Sequence, residues 1–232
     1  MVFSFVAWLV MFNSANAQSF AQSDSSQNKK EIVFYQPKKI AVQSFIIPVG
    51  LMATGALGTS GKFIIPDGKI KAARDRNFAT FHTSLDNYLQ FAPMAAGYVA
   101  LYNNKEHSFW KYTEKVVVTE VVVTALVQAV KHIAKVPRPD DGSPTSFPSG
   151  HTAQAFAGAT IFSDEFAQHN VWLTASAYAS ATAVGVLRIL NNRHWASDVI
   201  AGAGFGMASA KLSEWIVQPR RKKRAATFHY QF

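Results

Sequence analysis

The 232-residue chain contains no cysteine. A disulfide framework, a thiolate zinc site and a thiol nucleophile are thereby excluded. Acidic residues are also scarce: 14 Asp and Glu stand against 23 Lys and Arg, a formal charge of +9. Such a surplus suits an anionic partner, and charge alone leaves nucleic acid, an anionic lipid surface and a phosphorylated substrate open. The basic residues fall in loops and a short tail without interleaved aromatics, which argues against a nucleic-acid groove. Sustained strand alternation and internal repeats are missing too. His82, His107, His132, His169 and His229 share no metal-ligand spacing, so neither a metal nor a cofactor is expected.

What is present is apolar and helical. Apolar residues make up 49% of the chain, enough to bury the core of one large domain. An apolar run from Val2 to Phe12 precedes "NSANAQ", whose Ala15 and Ala17 form a small-x-small pair. Residues 1–17 therefore read as a signal peptide or an N-terminal anchor, 18–38 as a polar linker, 39–218 as the domain and 219–232 as a basic tail carrying "RRKKR". Helices are expected at 40–58, 72–86, 88–103, 113–134, 150–165, 171–190 and 195–217, with loops at "IPDG" (65–68) and "PRPDDGSP" (137–144). The fold class is all-α, a bundle of about six core helices. Residues 40–61 and 166–187 are charge-free and long enough to span a bilayer, whereas 116–134 carries Glu120 and Gln128 and mean hydropathy is close to zero.

Three clusters carry chemistry. In "SFPSGHTAQAF" a helix starting near Ser149 leaves its first amides unpartnered at the positive end of the macrodipole. A phosphate oxygen fits there against Gly150, with His151 in reach as proton donor or acceptor, although an ordinary N-cap serine beside a surface histidine reads equally well. Upstream, Lys131 ends a helix and Arg138 follows in the loop; singly, each suits a dipole partner or a solvated cation. Downstream, "RILNNRHWASDV" places Arg188, His194 and Asp198 at spacings of six and four. On a helix the last two would share a face, letting the carboxylate hold the ring nitrogen that chemistry does not use. Together these are three cations for a dianion, an amide-lined turn and two histidines: a phosphoryl-transfer site without a metal.

"KHIAKVPRP", "PSGH" and "RILNNRHWASD", in this order, resemble the three signature motifs of the type 2 phosphatidic acid phosphatase (PAP2) and haloperoxidase superfamily. The resemblance implies a PAP2-like bundle in which His194 attacks phosphorus to form a phosphohistidine, Asp198 orients it, and His151 protonates the leaving alkoxide before activating water. It further implies that Lys131, Arg138 and Arg188, helped by Ser149 and the Gly150 amide, neutralise the phosphoryl oxygens, and that Trp195 packs the site wall. Leu187 departs from the serine that many members carry before the arginine.

The expected activity is metal-independent hydrolysis of a lipid phosphate monoester or diphosphate of the lipid A, phosphatidylglycerophosphate, phosphatidate or undecaprenyl diphosphate type. A soluble periplasmic acid phosphatase of broad specificity is the alternative, with vanadium haloperoxidase and a non-catalytic anion or lipid binder more distant. The expected partners are a phosphorylated lipid or small phosphate ester and a membrane, with no nucleic acid. The expected place is the bacterial envelope, either the inner membrane with a periplasm-facing site or the periplasm. A cytoplasmic "RRKKR" puts the site on the far side of a last spanning helix, but six spans then conflict with a cleaved signal peptide.

Overall fold

The computed structural model describes residues 34–36, 41–59, 65–103, 107–167, 170–217 and 221–223. The signal or anchor expected at 1–17 lies outside the described residues, as do most of the linker at 18–38 and the tail at 219–232. From these flanking stretches, β1 (Phe34–Gln36) and β2 (Arg221–Lys223) form an antiparallel pair, with Tyr35 opposite Lys222.

The second unit, residues 38–219, is all-α. A 3-10 turn at Val42–Phe45 leads into α1 (Ile46–Gly58), followed by α2 (Asp67–Asn77), α3 (Leu85–Leu89), α4 (Ala92–Asn103), α5 (Phe109–Ala134), α6 (Gly150–Phe166), α7 (Val171–Leu190) and α8 (Ala196–Val217). Six of these are the expected core helices. The short α2 and α3 depart from the single helix expected at 72–86. The "IPDG" stretch is not a loop throughout: Pro66 occupies the N-cap and Asp67 the first turn of α2, where a fixed φ and a carboxylate both suit a helix start. The helix then stops at Asn77, and Asn191 holds the following segment by accepting from Thr83 N (2.9 Å) and donating to Thr83 O (2.9 Å).

Local chemistry sets the other boundaries. Asn170 caps α7 by accepting from the amides of Trp172 and Leu173, a contact worth about 1 kcal/mol. Lys135 closes α5 in the left-handed conformation (φ 47°), two residues before Pro137. The core between helices is largely alanine: Ala153, Ala155, Ala157, Ala159, Ala181 and Ala201 are fully buried. Such small side chains let backbones approach closely. On α8, a Cβ at Gly202 would fall 2.6 Å from the Ser149 carbonyl, and one at Gly206 would fall 2.1 Å from that of Ala153. These two glycines seat α8 directly against the start of α6.

Among the described residues two helices, α5 and α7, are long and apolar enough to cross a membrane. The sequence favoured 40–61 over 116–134, yet α1 has only 13 residues whereas α5 has 26. Glu120 does not interrupt α5, because its carboxylate turns inward to Gln154 of α6. Only 17% of the apolar window of α5 and 28% of that of α7 is buried inside the protein.

Candidate active site

The C-terminal ends of α5 and α7 and the N-terminal ends of α6 and α8 meet on one side of the bundle, and two connections, 135–149 and 191–195, join them there. Between α7 and α8, Asn192 adopts φ 59°, a left-handed conformation that asparagine tolerates better than branched residues, and this turns the chain so that Arg193 N reaches Arg188 O (3.0 Å). Trp195 Nε1 donates to Pro137 O (2.8 Å), and Arg193 pairs with Asp140 (2.7 Å). The loop carrying Arg138 is thereby pinned to the turn carrying His194.

His194 is not on a helix with Asp198, as the four-residue spacing suggests. It sits in the turn before α8, and Asp198 occupies the first turn of α8, where Oδ2 accepts from Trp195 N (2.9 Å). That cap places the carboxylate below the ring, with His194 Nδ1 3.5 Å from Asp198 Oδ2. Ser146 bridges the two: its hydroxyl donates to Asp198 Oδ2 (2.5 Å) and lies 3.5 Å from His194 Nδ1. With Nδ1 facing a carboxylate and a hydroxyl, Nε2 is left to carry the lone pair. Burial of this imidazole, 3% exposed, lowers its pKa to about 4, against the opposing Asp198 hydrogen bond and charge and with help from Arg188 and Lys131. The ring is therefore neutral at pH 7.

The cations converge on this imidazole. Lys131, in the last turn of α5, donates to the carbonyls of Thr145 and Ser146, and Arg138 Nε donates to Thr145 Oγ1 (3.2 Å). Arg188, in the last turn of α7, donates from Nη1 to Asp86 Oδ2 (2.6 Å), while its buried Nε has no hydrogen-bond partner among the described residues. Lys131 and Arg188 both act electrostatically on His194, and Arg138 and Arg188 on His151. An unsatisfied guanidinium nitrogen among three cations is the kind of donor that an incoming phosphoryl oxygen would satisfy.

At the start of α6, Ser149 occupies the N-cap, but its buried hydroxyl pairs with Thr152 Oγ1 (2.9 Å) and does not cap the helix. Ser149 N donates to Asp198 O (3.0 Å), locking this turn to α8. The first-turn amides at Gly150 are thus left without a side-chain cap, as an anion site requires. His151, one residue on, donates from Nε2 to Asn87 Oδ1 (2.9 Å), leaving Nδ1 for chemistry. All eight residues singled out by sequence therefore belong to one connected site, and Trp195 lines a small space of about 10 Å³ beside His194.

Four participants were not singled out. Ser146 stood in the stretch read as a turn, and its link to Asp198 spans 52 positions. Asp86, Asn87 and Asn191 gave no local signal, because 86 and 87 fell on the expected junction of two helices. Asn191 Nδ2 also donates to Asp86 Oδ1 (3.2 Å), completing the cradle around Arg188.

Known proteins resemble this chain. A lipid A 1-phosphatase from Porphyromonas gingivalis is 36% identical over 153 residues, covering 65% of this chain and 34% of that protein, so the chain spans about a third of the curated relative's length. The crystal structure of a transmembrane PAP2-type phosphatidylglycerolphosphate phosphatase from Bacillus subtilis superposes with a TM-score of 0.53 at 17% identity, covering 72% of this chain and 94% of that one. That of LpxE from Aquifex aeolicus gives a TM-score of 0.45 at 24% identity, covering 61% and 92%. The PAP2 superfamily pattern matches residues 110–222, which take in all three clusters of the site. With the helical bundle, the converging cations and the two imidazoles in place, residues 110–222 are identified as a PAP2 superfamily region.

Proposed function

We propose that the protein is a phosphatase that hydrolyses a membrane lipid phosphate through a phosphohistidine on His194. The observation that carries this reading is the buried His194 ring, facing Asp198 and Ser146 at Nδ1, with the Arg188 and Lys131 charges acting on it. The phosphoryl group would lie against the Gly150 turn, with its charge neutralised by the three cations and no metal required. His194 Nε2 attacks in line, the P–N bond forms as the ester P–O bond breaks, and Asp198 stabilises the cationic ring. The bound dianion favours the charged form of His151, which gives its Nδ1 proton to the leaving oxygen and in the second half-reaction takes one from water.

A lipid substrate is favoured over a soluble ester because α5 and α7 expose apolar surface that no described residue covers: Val117, Val121, Val171 and Val186 are all exposed. Among lipids, the Porphyromonas relative favours a lipid A type 1-phosphate. The "RRKKR" run follows the end of α8 remote from the site, and cytoplasmic placement of these charges puts the site on the periplasmic face. The test is phosphate release by the detergent-purified protein in EDTA, from a lipid A 1-phosphate and from an aryl phosphate, with His194→Ala as the blank. Selective, EDTA-resistant turnover of the lipid supports the proposal. Better turnover of the aryl ester favours a broad acid phosphatase, and dependence on added metal contradicts the mechanism.

A further inference from the structure

Beside His151 an open cleft of about 170 Å³ runs between the end of α3, the last turns of α5 and the first turns of α6. A cavity of about 150 Å³ accommodates a benzene-sized ring, so this one has room for a single sugar ring or a glycerol unit, not for acyl chains. Its walls combine Val123 and Val127 with four uncharged polar side chains, Gln90, Thr124, Gln128 and Gln154. The phosphate mechanism uses none of them.

The orientation of two amides is decided by their partners. Gln154 faces the Glu120 carboxylate, so nitrogen must point there, and the same Nε2 lies 3.9 Å from Met94 Sδ. Gln90 Nε2 donates to Asn87 O (2.8 Å). Both amides are thus anchored through nitrogen: Gln154, with both N–H groups engaged, is left with a carbonyl oxygen that only accepts, and Gln90 keeps that same acceptor beside one remaining N–H. Because His151 protonates the leaving oxygen, the leaving alcohol occupies its side of the site.

We infer that this cleft is the leaving-group subsite and that Gln90 and Gln154 select alcohols bearing O–H or N–H donors next to the phosphoester, such as an acylamino sugar or a glycerol with a free hydroxyl. Diacylglycerol presents only ester oxygens at that distance, and an ester oxygen facing the Gln154 carbonyl leaves both acceptors unpaired. The assignment rests on the phosphatase reading above and narrows its substrate class.

The experiment compares lysophosphatidate, whose leaving alcohol keeps a hydroxyl beside the phosphoester, with phosphatidate, in which it is esterified, in the same detergent micelles. The readout is the ratio of kcat/KM values for wild type, Gln154→Met and Gln90→Met. A ratio cancels losses of folded protein, and Gln90, at the end of α3, is a second variant should Gln154→Met strand Glu120. The expected wild-type ratio is about tenfold or more, falling about fivefold in each variant. A wild-type ratio near one, or a preference that survives both substitutions, overturns the assignment. Absence of turnover on these and on the lipid A phosphate overturns the phosphatase reading and this assignment with it; turnover with unchanged ratios overturns only the subsite.

Discussion

Asp86 and Arg188, 102 positions apart, form an ion pair of 2.6 Å in which Asp86 is 1% exposed and Arg188 6%. Burial alone would raise the Asp86 pKa, but the Arg188 hydrogen bond and charge, followed by the His151 charge, outweigh it and hold the carboxyl below its ordinary range. The pair fixes the end of α7 against α3 and leaves the buried Arg188 Nε without a hydrogen-bond partner among the described residues.

Asp86→Asn keeps the shape and removes the charge. An arginine left buried without its counter-ion costs about 3 kcal/mol, so thermal unfolding should shift down by several degrees. Because Arg188 is then free to swing, kcat/KM should fall about tenfold to a hundredfold. An unchanged melting curve together with unchanged kinetics would show that Arg188 is positioned by something else.

The Asp86 contact shows why part of this site was legible in the sequence and part was not. Lys131, Arg138, His151, Arg188, His194 and Asp198 cluster within short windows, each beside a helix end where proline, glycine and asparagine mark the turn. Asp86 and Asn87 touch them only through tertiary packing, and no periodicity within α3 announces a five-residue helix at the site. The reading of His194 and Asp198 as one helical face failed for a related reason: the carboxylate is spent on capping Trp195 N, which ends the turn and starts the helix. The long helices were legible because apolar period and caps coincide, as at Asn170 and Val171. Glu120 lowered the apparent membrane character of α5, since a linear reading cannot see that Gln154 takes its charge inward.

His194 makes stability and activity depend on pH with a defined sign. Its pKa is about 4 in the folded protein and near 6.5 when unfolded, so between these values the unfolded chain binds the extra proton. This contribution is fully present above pH 6.5 and is lost as pH falls toward 4. A series of melting curves from pH 7 to pH 4 should show a decline that His194→Gln flattens. Activity should persist at pH 5.5, where an unperturbed imidazole would be mostly protonated. An acid limb at pH 6.5 would mean that the ring is not desolvated in this way.

Asn87 holds His151 at Nε2, and its value should show in chemistry more than in binding. Asn87→Ala should lower kcat about tenfold for an alkyl phosphate with KM within about twofold, because the proton donor loses its orientation. With an aryl phosphate, whose leaving oxygen needs little protonation, the loss should nearly vanish. A merely structural role for Asn87 would reduce both substrates alike.

The ends of the helices remote from the site carry exposed aromatics: Tyr102 closes α4, Phe109 and Trp110 open α5, Trp172 opens α7 and Trp215 nears the end of α8. Tryptophan and tyrosine settle at the level of lipid head groups. From Trp110 to Lys131 the helix rises about 31 Å at 1.5 Å per residue, close to the thickness of a bilayer's hydrocarbon core. If Trp110 marks one interface, Lys131 and the phosphate site reach the other. A variant retaining Trp110 as its single tryptophan, reconstituted in vesicles, should be quenched more strongly by lipids brominated near the head group than by lipids brominated near the chain ends. Equal indifference to both would place α5 outside the bilayer, leaving its apolar face to be covered in some other way.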